Sequence, residues 1–189
     1  MYGFEEDVHA ALPFCEIHIF DHTVKNPTPP KFATFHSIGL GPSDGGMFLT
    51  LESLQARLGH TGSAIEIMKI DCDGCEYETL FSAMPTWTSV RQVLMEIHWQ
   101  GASSAFDLHS FFNSLFRHDW AIFSKEPNYQ WAGGNAIEFG FLKIDWNGME
   151  LQREADTKWC IGGWKAVSTN KNPATDYDLM MCLGWGVRE

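Results

Sequence analysis

The chain has 189 residues, 44% hydrophobic and 14% aromatic, which suits one folded domain with a real core and excludes a disordered chain. Its formal net charge is -11, from 13 Lys and Arg against 24 Asp and Glu with no basic run, so no nucleic-acid partner is expected, because phosphate binding needs a basic surface. No apolar stretch is long enough to span a membrane, and the first residues lack the basic-then-apolar order of a signal peptide.

In chain order, Phe4, Val8, Ala11 and Leu12 recur at helical spacing, and Pro13 closes that helix. Glu16 to Phe20 reads as a short strand that ends at Asp21. Pro27, Pro29 and Pro30 make the next stretch a loop. Phe32 to Phe35 is a second short strand, and Gly39, Gly41, Pro42, Gly45 and Gly46 mark an irregular loop. Leu51, Leu54 and Leu58 form a helical stripe with Thr50 as its N-cap. Ile65 to Ile70 is almost wholly apolar, as a strand covered on both faces should be. Tyr77, Leu80, Phe81 and Met84 predict a helix stopped by Pro85, and Val90 to Ile97 a second buried strand. Leu108, Phe111, Phe112, Leu115 and Phe116 give the clearest helix, with Ser104 as its cap. Trp120 to Phe123 and Ala136 to Ile144 are late strands, the second alternating Ile137, Phe139 and Phe141 on one face. Beyond Asp145 the pattern weakens and no element is predicted.

Strands alternating with helices predict an α/β fold with a mostly parallel sheet, and the last two strands a C-terminal antiparallel hairpin. The expected organisation is one domain over residues 1–145 and an extension over 146–189 of unknown role. The odd count of five cysteines, widely spaced, reads as reduced thiols and a cytoplasmic setting.

In such sheets ligands lie beyond the carboxyl ends of the strands. Asp21 stands at one such end, where a carboxylate can accept from two ribose hydroxyls; a turn cap is the competing reading. Lys69 to Glu76 places Asp71, Cys72, Asp73, Gly74, Cys75 and Glu76 where a buried strand turns into a helix. Helix-dipole stabilisation accounts for Asp73 and Glu76 but leaves Asp71 facing the cleft. The Cys72–Cys75 pair has no second ligand pair, so no metal is expected, and small packed thiols are the simpler reading. Glu96 and His98 lie two apart on one strand face and so share a side, fit either to take a hydroxyl proton or to form a satisfied buried pair.

Taken together, Cys15 to Asp21, Ile67 to Tyr77, Gln92 to His98, Lys125 to Asn128 and Glu138-Phe139 resemble the FkbM-like class of S-adenosylmethionine-dependent methyltransferases, over roughly residues 4–145. One departure is Asp73, where the family usually has Glu. The resemblance implies a Rossmann-like fold, bound S-adenosylmethionine and a small-molecule or glycan-like acceptor. It implies that Asp21 holds the ribose, that Ser43 and Asp44 lie near the adenine, and that Asp71 faces the methionine part or the acceptor. Glu96 and His98 would border the acceptor, with His98 or Asp71 taking its proton. It also implies a first strand and glycine loop that this sequence does not show, a strand that would lie centrally between those of Asp21 and Asp71. The reading requires Asp21 and the Asp71–Glu76 turn to converge at one edge of a shared parallel sheet. The alternative is a catalytically dead Rossmann-like domain that binds a partner or a nucleotide-like ligand.

Overall fold

The computed structural model describes residues 2–72, 76–98, 105–129, 136–144, 149–153 and 164–168. Ser104, Asp73, Cys75 and most of the 146–189 extension lie outside the described residues. The chain divides into two units: Met1–Ser63 with Cys75–Ala83, and Ala64–Gly74 with Met84–Glu189.

In the first unit, α1 spans Gly3–Ala11, and β1 (Ile17–Phe20) pairs in parallel with β2 (Ala33–His36). The expected glycine loop contains structure that sequence pattern does not reveal. β3 (Gly39–Leu40) and β4 (Phe48–Leu49) form a two-residue parallel pair, with Gly39 N–H donating to the Met47 carbonyl at 2.7 Å and Gly41 N–H to that of Leu49 at 2.9 Å. Glycine is needed there because the Phe48 side chain fills the space a Cβ would take at either position. The helix α2 (Leu51–Leu58) starts as expected, Thr50 Oγ1 accepting from Ser53 N–H at 3.3 Å. It ends in a Schellman turn: Gly59 at φ 75° donates to the Ala56 carbonyl, and His60 N–H to that of Gln55. Leu51 and Leu54 turn inward.

The predicted helix over Tyr77 to Met84 is irregular. A wide π-type turn (Glu76–Leu80) passes into the short α3 (Phe81–Ala83) and a 3-10 turn (Met84–Thr86) that contains Pro85. Proline cannot supply the N–H that a continuing α-helix needs, so the chain tightens before it leaves the helix.

The second unit is built on a four-stranded sheet in the order β5-β6-β8-β7. Here β5 is Met68–Ile70, β6 Gln92–His98, β7 Trp120–Pro127 and β8 Ala136–Lys143. β5 and β6 are parallel, and β8 pairs antiparallel with both β6 and β7, which gives the expected hairpin at one side. The expectation that Ile65 to Ile70 is covered on both faces needs correction, because Lys69 is exposed and Ile70 alone of β5 is buried, whereas β6 is largely buried as expected. Val93, Met95 and Ile97 sit opposite Phe141, Phe139 and Ile137 on one face. On that face α4 (Ala105–Arg117) packs its Phe111 and Phe112 rings against Phe139 and Phe141, while Phe116 is left exposed. The other face carries Leu94, Glu96 and His98 opposite Gly140, Glu138 and Ala136. A run rich in apolar residues thus conceals a period of two. β7 ends the strand order, bulges between Ile122 and Ser124, and finishes on Pro127. Past Asp145, where no element was expected, β9 (Met149–Arg153) and β10 (Trp164–Ser168) form an antiparallel pair.

β1 and β5 do not share a sheet: β1 pairs with β2 in a two-stranded sheet and β5 belongs to the four-stranded one. Asp21 and Asp71 therefore do not follow strands of one described sheet, contrary to expectation. The reason is the pairing itself, since β2 is the only described strand in register with β1.

Candidate functional site

Three of the sequence-predicted residues come together in the second unit. Asp71 follows the last residue of β5, and Glu96 and His98 occupy the carboxyl-terminal end of β6 on the face away from α4. Because Ile70 is in register with Met95, Asp71 emerges beside Glu96. One ligand-type atom from each of Asp71, Glu96 and His98 lies within 4.8 Å of the others. Glu96 is buried at 8% exposure, yet Asn128 Nδ2 donates to its Oε1 at 2.8 Å. Asn128 is set by its own N–H, which donates to the Ala136 carbonyl at 2.9 Å. Burial of a carboxylate is costly unless it is hydrogen-bonded, so this amide holds Glu96 in place. Glu138 faces Glu96 across the ladder and Glu126 faces Glu138, so three carboxylates line one face of β6, β8 and β7. Sequence reasoning identified Asp71, Glu96 and His98 but not Asn128 or the carboxylate row, because both depend on hairpin register.

Asp21, Ser43 and Asp44 belong to the first unit. Asp21 Oδ1 accepts from Thr23 N–H at 2.7 Å, Thr23 Oγ1 at 2.6 Å and Val24 N–H at 3.3 Å. The Thr23 hydroxyl and amide together hold the carboxyl below its usual range, so it is ionised near neutral pH. The turn-cap reading thus accounts for one oxygen, while Oδ2 has no hydrogen bond among the described residues. Asp44 is more fully committed. Its Oδ2 accepts from Ser53 Oγ at 2.6 Å and its Oδ1 from Thr50 N–H at 2.8 Å, which lowers its pKa and fixes the start of α2. Ser43 is exposed.

A second group in the first unit was not foreseen. Glu16, His18 and His60 bring ligand-type atoms within 4.8 Å of one another, and His36 joins them through a His18 Nδ1 to His36 Nε2 contact of 3.0 Å. Burial, then the neighbouring His18 and Arg57, push the His36 pKa down. A Glu and a His two apart on a strand were the available signal, but His60 lies far along the chain.

The expectation of reduced thiols fails at Cys72, which is disulfide-bonded to a partner outside the described residues; Cys15 is free. The sulfur next to Asp71 is therefore a covalent tie and not a packed thiol. Among the described residues no helix is long and apolar enough to cross a membrane.

The parallel strands β5 and β6 end at the Asp71, Glu96 and His98 cluster, the end of an α/β sheet at which ligands bind. The chain belongs to a family described as a methyltransferase domain, whose model matches residues 1–143. That membership supports a methyltransferase-like function. No curated protein and no solved structure matches the chain.

Proposed function

We propose that the chain is an S-adenosylmethionine-dependent methyltransferase of Rossmann-like, FkbM-like type that methylates a hydroxyl on a small-molecule or glycan-like acceptor. The observation that carries this reading is the convergence of Asp71, Glu96 and His98 at the ends of two parallel strands. Family membership and the strand order β5-β6-β8-β7, parallel and then antiparallel, support it.

The residues fit the cofactor in part. Asp21, anionic at a strand end with Oδ2 unbonded among the described residues, suits a ribose hydroxyl within the first unit. β1 and β5 lie in different described sheets, so the shared sheet that the reading required is not met, and the proposal stands on family membership and the Asp71, Glu96 and His98 cluster. Asp44 has both oxygens engaged in capping, so Ser43 or backbone groups would have to serve the adenine. When bound, S-adenosylmethionine supplies an electrophilic methyl group on a sulfonium. The chain's own work is to orient the acceptor and take its proton. His98 accepts the hydroxyl proton, Glu96 stabilises the resulting imidazolium from its fixed position against Asn128, and Asp71 accepts a hydrogen bond from a different hydroxyl of the acceptor.

The mutual spacing of these three groups also favours a second reading, in which a divalent cation held by Asp71, Glu96 and His98 acidifies the acceptor hydroxyl. Titration calorimetry with S-adenosylmethionine, then transfer of a labelled methyl group to hydroxyl acceptors with and without chelator, tests both. Binding with chelator-resistant transfer fits the His98 base, and chelator-sensitive transfer fits the cation. Well-folded protein that binds no S-adenosylmethionine would leave only a catalytically dead binding domain.

A further inference from the structure

We infer that Glu16, His18 and His60 form a site for a divalent transition metal, with zinc the best match, and that His36 orients the His18 ring. This site lies wholly in the first unit and does not depend on the methyl-transfer reading.

Two imidazoles and a carboxylate are a recognised zinc donor set, with bonds of about 2.0–2.1 Å, so adjacent tetrahedral ligands stand roughly 3.3–3.4 Å apart. Here Glu16 Oε2 is 3.1 Å from His60 Nε2 and 3.5 Å from His18 Nε2, with all three donor groups inside 4.8 Å. The preorganisation comes from separate local rules. Glu16 immediately precedes β1 and His18 is the second residue of that strand, and the two side chains meet with Glu16 Oε2 3.5 Å from His18 Nε2. The Schellman turn at Gly59 fixes His60 through its N–H bond to the Gln55 carbonyl at 2.8 Å.

His18 gives the strongest indication of a missing ligand. Its Nε2 is buried and makes no hydrogen bond, although a carboxylate oxygen stands 3.5 Å away. If His18 Nδ1 donates to His36 Nε2 across the 3.0 Å contact, Nε2 carries a lone pair that faces an anion. If the tautomer is reversed, the Nε2 proton points at Glu16 without a bond being made. A cation between His18 Nε2, His60 Nε2 and Glu16 Oε2 resolves both cases. It also makes His36 the hydrogen-bonding partner that metal-bound histidines usually have. Three protein ligands leave one coordination position for water or another group.

The test is Co(II) titration of the chelator-stripped full chain, followed by its visible d–d absorption and competed with Zn(II), with thermal unfolding run alongside. One ion per chain with tetrahedral bands is expected. Glu16→Ala and His60→Ala alter partly exposed side chains and should keep the fold, yet each should weaken binding by more than about 100-fold; His36→Ala should weaken it by roughly 10–100-fold. His98→Ala separates this site from the Asp71 cluster and should leave the affinity unchanged. Absence of Co(II) bands, unchanged affinity in Glu16→Ala and His60→Ala, or bands lost only in His98→Ala would each overturn the assignment.

Discussion

The β3–β4 contact makes a graded prediction. At Gly41 an added Cβ would stand 2.7 Å from Phe48 Cβ, the rigid stem of that side chain. No rotamer change moves that atom, so Gly41→Ala must separate the strands and stretch the 2.9 Å bond from Gly41 N–H to Leu49. Overpacking of this kind costs about 2–3 kcal/mol. At Gly39 the clash is with Phe48 Cδ1 and Cε1, both at 2.8 Å, on a ring 39% exposed that can swing outward. Gly39→Ala should therefore cost only about 1 kcal/mol. Gly45 has nothing within 4 Å of its Cβ position and no positive φ, so Gly45→Ala should be neutral to within about 0.5 kcal/mol. For a chain of this size, 1 kcal/mol moves the melting temperature by roughly 2–4 °C, so far-ultraviolet circular dichroism in urea and heat resolves the series. Equal stability of the three variants, or a Gly45→Ala protein weaker than Gly41→Ala, would refute the packing argument.

Phe141 is fully buried between α4 and the sheet, and Phe141→Ala should cost about 3–5 kcal/mol in denaturant unfolding. Thr50→Ala removes the side-chain cap of α2 and should cost about 1 kcal/mol, seen as a lower urea midpoint with unchanged slope. The Asp21 carboxyl lies below its ordinary 3.8, so its contribution is present above that pH and lost as pH falls through the folded value. Asp21→Asn should flatten the acid side of the stability curve in unfolding measured from pH 7 to pH 3; an unaltered acid slope would show that the Thr23 contacts contribute nothing. Asn128→Ala leaves Glu96 buried without its donor and should lower methyl transfer at least tenfold, on the proposed reading, in the same labelled-methyl assay.

Much of the fold was readable because periodicity reports burial. Leu108, Phe111 and Leu115 predicted α4 and its buried face, and Ile137, Phe139 and Phe141 predicted the hairpin strand it covers. Phe116 was counted in that stripe yet is 55% exposed, since hydrophobicity favours burial without requiring it. The short β3–β4 pair escaped notice because two residues carry no period and its glycines read as loop. Asp71, Glu96 and His98 were found because strand ends locate ligands in α/β sheets. Asn128 and the Glu16–His18–His60 group were not, because each depends on contacts between distant parts of the chain. Asp21 and Asp44 show the converse: a carboxylate that sequence position marks as a ligand candidate serves, with one or both oxygens, to hold its own backbone.

Among the described residues β7 closes the strand order, which bears on how this protein behaves when crowded. A flat terminal strand is a template for another chain, and unguarded ones seed fibrils. An incoming strand would here meet the bulge at Ile122/Ser124, the charge of Lys125 and then Pro127, which has no amide proton to lend. These features resist self-templating, and substitutions that straighten or neutralise this strand would raise the risk of inclusion bodies even where the native state is unharmed.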